Sequence, residues 1–562
     1  MSFTEDRDER RVGREKGVNS LQPLAITSGI NIRALTLAAM PASYSFGCLA
    51  LILTRLTPQA HVWRFAKATT VIAATCACLS TTLLILNGPL VSHGRGLSGI
   101  RIDPPGAIML LLVAFIGWVI LRYSEHYLAG DLVQTRFLHA LFASLAAVGW
   151  LVVTNNLVTF WLAWVGTSLS LHLLLTLYRD RQPAIIVAHK KFLASRIGDL
   201  FLLSAILIIA RQTGTLQIDQ TLHYVEGMAI LPASLRAAAV LIALSAIVKC
   251  AQLPLHGWLI QVMEAPTPVS ALLHAGIVNL GGFMLIRLAP LGSAVIGAQV
   301  VLVLVGCITA VIASLVMMTR VSIKVNLAWS TCAQMGFMLM QCGLGLYDLA
   351  LLHLIAHSLY KAHAFLGSGG TVEVAKLKQM APKQVRPNLP ALLLAALLGL
   401  LTTPLAAQCW GVGLRANPGL AVLGGVVGLA IIPFLASALE SDGWAQRTTL
   451  FMTGSAIPFL YFGLHRLFSP LVQWPGRQRH TPLALAFFVG ISFLILNVIQ
   501  SYLRSQPDGV LSRTLYPWFY AGLYLDEAFT RLTFRLWPAQ MVNATSARRD
   551  AARNLPLPGV IG

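Results

Sequence analysis

Residues 236–290 read RAAAVLIALSAIVKCAQLPLHGWLIQVMEAPTPVSALLHAGIVNLGGFMLIRLAP. Two apolar helical runs flank a polar, proline-rich break. Lys249 closes the first run, and Pro254 follows with no backbone N–H to offer a helix. Gln252, His256, Glu264, Pro266 and Pro268 fill the break, and the second run carries His274. A lysine inside an apolar span is expensive unless it faces a polar interior and a partner. A helix interrupted at that depth is tolerated only where protein or a watery cavity satisfies the freed backbone groups. A buried lysine beside a broken helix is what an ion path requires.

The rest of the chain is apolar on the same scale. It has 562 residues, 56% hydrophobic and 11% charged, with a mean hydropathy of +0.72. Soluble domains carry roughly 25% charge, so the composition specifies an all-α polytopic membrane protein. The formal charge of +20 is then no nucleic-acid signal; such charge belongs to loops and tails beside anionic lipid or a partner. The eight cysteines lie mostly in apolar runs, and the close pair Cys76 and Cys78 lacks zinc-site spacing, so they read as small buried hydrophobes. Residues 1–20 are charged and show no short apolar core of a cleavable signal peptide.

Windows of about twenty residues place fifteen spans near 34–54, 66–87, 105–122, 136–154, 157–178, 191–211, 236–260, 266–288, 293–317, 321–344, 347–370, 388–407, 419–439, 449–467 and 482–503. The distribution of Lys and Arg favours an N-out, C-in orientation, against the pull of a basic N-terminal tail. Leu162-Ala163-Trp164 recurs as Leu327-Ala328-Trp329, and Pro254-Leu255 as Pro404-Leu405. Paired proline-interrupted spans in two halves point to an inverted-repeat transporter with helices 7 and 12 broken, at Pro254 and Pro404. The expected organisation is a polar tail (1–30), N-terminal helices (31–135), a first half (136–290), a second half (291–440), C-terminal helices (441–505) and an amphipathic docking segment and tail (506–562).

Titratable groups in apolar surroundings are the candidates for ion translocation. Lys249 is the first. Arg196 and Asp199 open the sixth span: Asp199 either pairs with Lys249 or merely closes a loop-end ion pair. Glu264 reads equally as a path carboxylate or a first-turn acid of the next helix, and His274 as a relay or a packing group. His353, His357 and Lys361 fall at i, i+4 and i+8 and share one helix face. Lys361 would repel a metal there, so the face reads as a proton relay or as polar glue between helices. Lys324 either joins this axis or snorkels to the interface. No phosphate loop, dinucleotide fingerprint, catalytic triad or metal pattern appears, so no cofactor is expected in this chain.

The stretch Lys249–Leu259, KCAQLPLHGWL, with Met263–Ala275, MEAPTPVSALLHA, resembles the signature of antiporter-like subunits. That family includes the large proton-pumping membrane subunits of respiratory complex I and the Mrp cation antiporters. The resemblance runs from about 105 to 375 and returns weakly at 514–537. It implies an inverted repeat of spans 4–8 against 9–13. It also implies ion-path roles for Lys249, for the Arg196–Asp199 pattern and for the lysine and histidines of the second half.

Two departures matter. Complex I pumping subunits carry a glutamate in the fifth span, where this chain has Trp164-Val165-Gly166, and a lysine after the broken twelfth span, where 401–414 has none. The family's lateral helix and final anchor also look absent. With Tyr520-Ala521-Gly522-Leu523-Tyr524-Leu525-Asp526-Glu527, this pattern is similar to the DabB family, membrane subunits of bacterial two-component inorganic carbon accumulation complexes. That resemblance implies a multi-pass protein of the bacterial inner membrane that conducts H+ or Na+. It implies a DabA-like partner bearing a carbonic-anhydrase-like zinc site, with no zinc and no catalysis here. Tyr520, Tyr524, Asp526 and Glu527 would dock that partner. The competing readings are a subunit of a complex I-like redox pump, an Mrp-type cation/proton antiporter, and a scaffold whose ion path is dead.

Overall fold

Backbone N–H and C=O groups in a bilayer must bond within their own segment, so apolar runs of this length become helices. A computed structural model describes residues 32–54, 59–92, 99–178, 181–262, 265–370, 388–441, 443–472 and 481–537. The expected tail 1–30, the candidate Glu264 and the chain beyond 537 lie outside the described residues. The chain opens with α1 (Ile32–Thr54), α2 (Gln59–Asn87), α3 (Pro104–Tyr127), α4 (Gln134–Val153), α5 (Leu157–Leu175), α6 (Gln182–Thr213), α7 (Ile218–Glu226), α8 (Ala233–Lys249), α9 (Gly257–Gln261), α10 (Thr267–Ala275) and α11 (Leu280–Arg287). Then follow α12 (Ala289–Ser293), α13 (Ile296–Met317), α14 (Ile323–Gly343), α15 (Tyr347–Leu366), α16 (Leu389–Cys409), α17 (Pro418–Leu439), α18 (Trp444–Phe468), α19 (Leu483–Ser505), α20 (Val510–Tyr520) and α21 (Leu525–Leu536). Among the described residues, 12 helices are long and apolar enough to cross a membrane. The expected spans at 236–260, 321–344 and 449–467 coincide with α8, α14 and α18, which are shorter or less apolar than that standard. Fifteen crossings therefore remain the sequence's expectation.

Three elements differ from the sequence reading. Pro183 starts α6 and Gly214, left-handed at φ 71°, ends it, so the helix runs 32 residues and begins well before 191. Arg196 and Asp199 consequently sit mid-helix rather than at its opening. The eighth span is interrupted: α10 stops at Ala275, Ile277–Asn279 form a 3-10 turn, and α11 resumes. The Asn279 side chain donates to the Ala275 carbonyl at 3.1 Å and to Ser358 Oγ at 2.7 Å, satisfying groups the interruption frees. Pro404 breaks nothing. It lies inside the continuous helix α16, where Thr403 Oγ1 donates to the Gly399 carbonyl at 2.8 Å. A proline is carried inside a membrane helix where the surrounding protein compensates the lost donor, and the helix runs on through 404, so the expected second break at helix 12 is corrected.

The break at Pro254 is real. Helix α8 ends at Lys249, Ala251 turns left-handed at φ 51°, the Leu253–Pro254 peptide is cis, and α9 restarts at Gly257. Leu253 N–H is taken up by Thr309 Oγ1 of α13 at 3.3 Å. Gly281 of α11 lets this region close up, since a side chain there would meet the Ala246 carbonyl at 2.9 Å.

At the opposite end of α11, Arg287 is pinned to Asp103. Arg287 Nη1 donates to Asp103 Oδ2 at 2.6 Å and Nη2 to the Val152 carbonyl at 2.6 Å. Asp103 caps α3 through Gly106 N–H at 3.0 Å. A short hairpin, Leu90–Ser92 against Ile100–Ile102 with Leu90 opposite Ile102, leads into this cap. Both charges are buried, so Asp103→Ala strands a guanidinium and is expected to destabilise the protein by about 3–5 kcal/mol. A thermal melt of the detergent-solubilised chain checks this; since Arg101 also pairs with Asp103 at 3.1 Å, Asp103→Leu with both Arg101→Met and Arg287→Met should cost much less, because neither guanidinium is left facing a missing carboxylate.

A candidate ion path built on two buried lysines

Lys249 ends α8 with its side chain turned into the protein, 8% exposed. Its Nζ donates to Thr167 Oγ1 at 2.8 Å and to the Trp164 carbonyl at 3.3 Å, and it lies 4.4 Å from the Trp164 ring centroid. Carbonyl i and hydroxyl i+3 on one helix share a face, so α5 presents a ready seat for an ammonium. Asp199 reaches this pocket electrostatically, but its carboxylate pairs directly with Arg196 at 2.7 Å. The carboxylate whose charge reaches Lys249 thus comes from α6, while Val165 on α5 is half-buried.

Lys361 repeats the arrangement. Fully buried on α15, its Nζ donates to the Leu327 carbonyl at 3.0 Å and to Ser330 Oγ. Again the seat is carbonyl i and hydroxyl i+3, now on α14. The two seats fall on the helices that carry the repeated Leu-Ala-Trp, at 162–164 and 327–329. The short sequence match therefore marks matching lysine seats, offset by two residues.

Around Lys361 the histidines converge. His274 Nδ1 meets Thr331 Oγ1 at 3.1 Å, next to Ser330, and its ring stacks on Phe365 at 4.4 Å. His357, 4% exposed, has no hydrogen-bond partner at either ring nitrogen among the described residues. The His353 ring centroid lies 6.1 Å from that of His357, and His353 Nδ1 meets Gln341 Oε1 at 3.1 Å. Lys324 is half-buried and donates to Thr267 Oγ1, the first residue of α10, at 3.0 Å, which ties it to the start of that helix. No described hydrogen bond joins Lys249 to His274; the break between α8 and α10 lies between them.

Some groups of the site were not legible. Lys190 and Lys191, at the edge of the expected sixth span, are buried in α6 at 0% and 3% exposure. Lys191 Nζ donates to Ser168 O at 2.6 Å and Ser168 Oγ at 2.7 Å, one residue from the Lys249 seat. His256 is fully buried in the break, 4.9 Å from Trp329 by ring centroids. At the N-terminal end of α15, Asp348 Oδ2 meets His465 Nδ1 of α18 at 2.5 Å. The apolar stretches 183–188 and 192–194 on either side of His189-Lys190-Lys191 were the missed signal; for Asp348 and His465 there was none, since only folding brings 348 and 465 together.

The docking residues divide. Tyr520 and Tyr524 are about half exposed, at 55% and 51%, and Glu527 is exposed. Asp526 faces inward onto Lys190 and Gln261, so it offers no free carboxylate to a partner; the amphipathic register of α21 turns it to the protein side.

This geometry has relatives. Residues 154–444 match the family profile described as NADH:quinone oxidoreductase/Mrp antiporter, TM, and residues 98–138 the one described as NADH-Ubiquinone oxidoreductase (complex I), chain 5 N-terminus. The probable inorganic carbon transporter subunit DabB of Hydrogenovibrio crunogenus is 41% identical over 448 residues, 77% of this chain and 82% of its own length. The chain belongs to the DabB family. A further member, the probable subunit DabB2 of Halothiobacillus neapolitanus, is 40% identical over 471 residues, 82% of this chain and 85% of its own. Among solved structures, a chain of the Mrp complex from Dietzia sp. DQ12-45-1b superposes with a TM-score of 0.57 at 24% identity, covering 93% of this chain and 61% of that one. That likeness shows the fold alone. The family is one of antiporter-like, multi-pass membrane subunits, so this chain is a cation-antiporter-like transporter subunit of the inorganic carbon type.

Proposed function

We propose that this chain conducts H+ or Na+ across the bacterial inner membrane as the membrane half of an inorganic carbon uptake complex. Its flux drives CO2 hydration to bicarbonate on a zinc-bearing, carbonic-anhydrase-like partner subunit. The observation that carries the ion-conducting part is the pair of buried lysines, Lys249 and Lys361, each seated on a carbonyl and a hydroxyl one turn apart. Buried cations with that pattern are retained in membranes for transport. Lys249 with Asp199 and Arg196 forms the first centre. Lys361 with His274, His357 and His353 forms the second, and Asp348 with His465 ends the line at the far end of α15. Lys324 is tied to the start of α10. The first half, 136–290, holds the first centre and lends His274 to the second, whose Lys361, His357 and His353 lie in 291–440. A seat for a redox cofactor plays no part in this reading.

Family membership favours carbon uptake over a redox pump or a stand-alone antiporter. Tyr520, Tyr524 and Glu527, exposed on the C-terminal hairpin, suit the partner interface, where aromatic anchors carry most binding energy. The test is growth in air of a carbonic-anhydrase-deficient bacterial host. Co-expression of both subunits should rescue it, neither alone should, and a protonophore or a sodium ionophore should abolish rescue. Rescue by this chain alone, or rescue that ignores both ionophores, returns the protein to the antiporter class.

A further inference from the structure

The C-terminal hairpin is tied to the helix break. Asp526 Oδ1 accepts from Lys190 Nζ at 2.8 Å, and Oδ2 accepts from Gln261 Nε2 at 2.6 Å. Lys190 Nζ also donates to Gln261 Oε1 at 2.9 Å, which closes a ring of three side chains from α6, α9 and α21. Gln261 ends α9, the short helix that restarts the chain after Pro254. Gly257 starts it, and a Cβ there would fall 1.5 Å from Asp526 Oδ1. The carboxylate therefore rests on the backbone of the restart itself.

Other contacts seat the same hairpin. Arg320 Nη2 donates to the Phe519 carbonyl at 3.3 Å, and its guanidinium lies over both Trp329 and Tyr520. Trp329 in turn packs on His256 in the break. Trp537, at the end of the hairpin, stacks on His189 with ring centroids 4.0 Å apart. Helix α6 carries the connection inward. Lys190 faces Asp526, while its neighbour Lys191 bonds Ser168, adjacent to the Thr167 that seats Lys249.

We propose that Asp526 is a positioning residue for ion conduction: it latches the C-terminal hairpin onto the restart of the broken helix and onto α6, so that Lys249 is held against its seat only while the hairpin is docked. The inference rests on the ion-path reading above and adds the means by which a partner on the hairpin's exposed aromatic face acts on that path. A buried Lys190 needs an anion in any case. The latch differs from simple charge balance because it also fixes Gln261 and the Gly257 backbone.

The test uses the full chain co-expressed with its partner subunit and follows uptake of 14C-labelled inorganic carbon. Asp526→Asn should lower uptake by about tenfold or more, the scale on which loss of one buried partner acts, with chain and partner amounts unchanged. Lys190→Met with Asp526→Asn should stay low; recovery would mean that Asp526 only balances a charge, and would overturn the proposal. Gly257 and Asp526 supply the decisive pair, because a Cβ at 257 would lie 3.2 Å from Asp526 Cβ, close to disulfide spacing. In a Cys78→Ser, Cys409→Ser background, Gly257→Cys with Asp526→Cys should be inactive when reduced and recover when oxidised, the same molecules being compared in both states. Equal uptake in the two states, or normal uptake by Asp526→Asn, overturns the latch. Lys249→Ala is the control: activity there defeats the ion path itself, whereas a dead Lys249→Ala beside an active Asp526→Asn defeats the latch alone.

Discussion

Lys249→Ala should bring ion-coupled uptake to background while the chain still inserts and still holds its partner. The scaffold loses little. Thr167 Oγ1 donates to the Trp164 carbonyl at 2.7 Å without help from the lysine, so the seat keeps its own hydrogen bond. A lysine at the centre of a span costs about 2.5–3.5 kcal/mol on insertion scales, and alanine removes that cost. Asp199 keeps Arg196 at 2.7 Å, so no carboxylate is stranded. Lys249→Arg separates the two roles a cation can play. A guanidinium keeps charge but never releases its proton, so a static counter-charge would survive the change and a proton carrier would not. Uptake should fail in both variants, with normal membrane levels by immunoblot. Normal uptake in Lys249→Ala would remove the first centre from the path.

His357→Phe is expected to cost about a hundredfold in rate, the scale of losing one positioned proton-transfer group. The ring is buried at 4% exposure, and phenylalanine keeps its bulk against α14. The substitution strands no protein group, because neither ring nitrogen has a hydrogen-bond partner among the described residues. His353→Phe should cost less in rate. His353 is only half-buried, and its loss takes the His353 ring from Gln341 Oε1, which taxes stability more than transfer. Initial uptake rates of the two variants, normalised to the amount of folded chain, decide it. If both transport normally, these histidines serve only to pack α15.

Much of the site was legible because its signals are local. Lys249 stood out as a charge in an apolar run, Pro254 as a donorless residue one turn on, and His353, His357 and Lys361 as one helix face. The same local logic failed at Pro404. A proline removes one backbone donor, but whether the helix unwinds there is settled by its surroundings; here Pro404 stays inside the continuous helix α16. The eighth span failed in reverse. Its apolar run hid an interruption that Asn279 stabilises through Ser358, 79 residues away.

The sequence by itself determined the class of protein, the broken seventh helix, the two lysines and the family, since each follows from composition or from spacing within a few turns. The tertiary structure decided which charges face inward. Lys190 and Lys191 look alike in sequence, yet helical geometry sends one to Asp526 and the other to Ser168 beside Lys249. Asp526 looked like a docking residue until folding brought it onto Lys190, 336 residues away. Arg287 with Asp103 and His465 with Asp348 were likewise invisible as pairs. The physical reason is common to all of them. A buried charge is stable only beside its partner, and which distant residue arrives to be that partner is settled by how the helices pack.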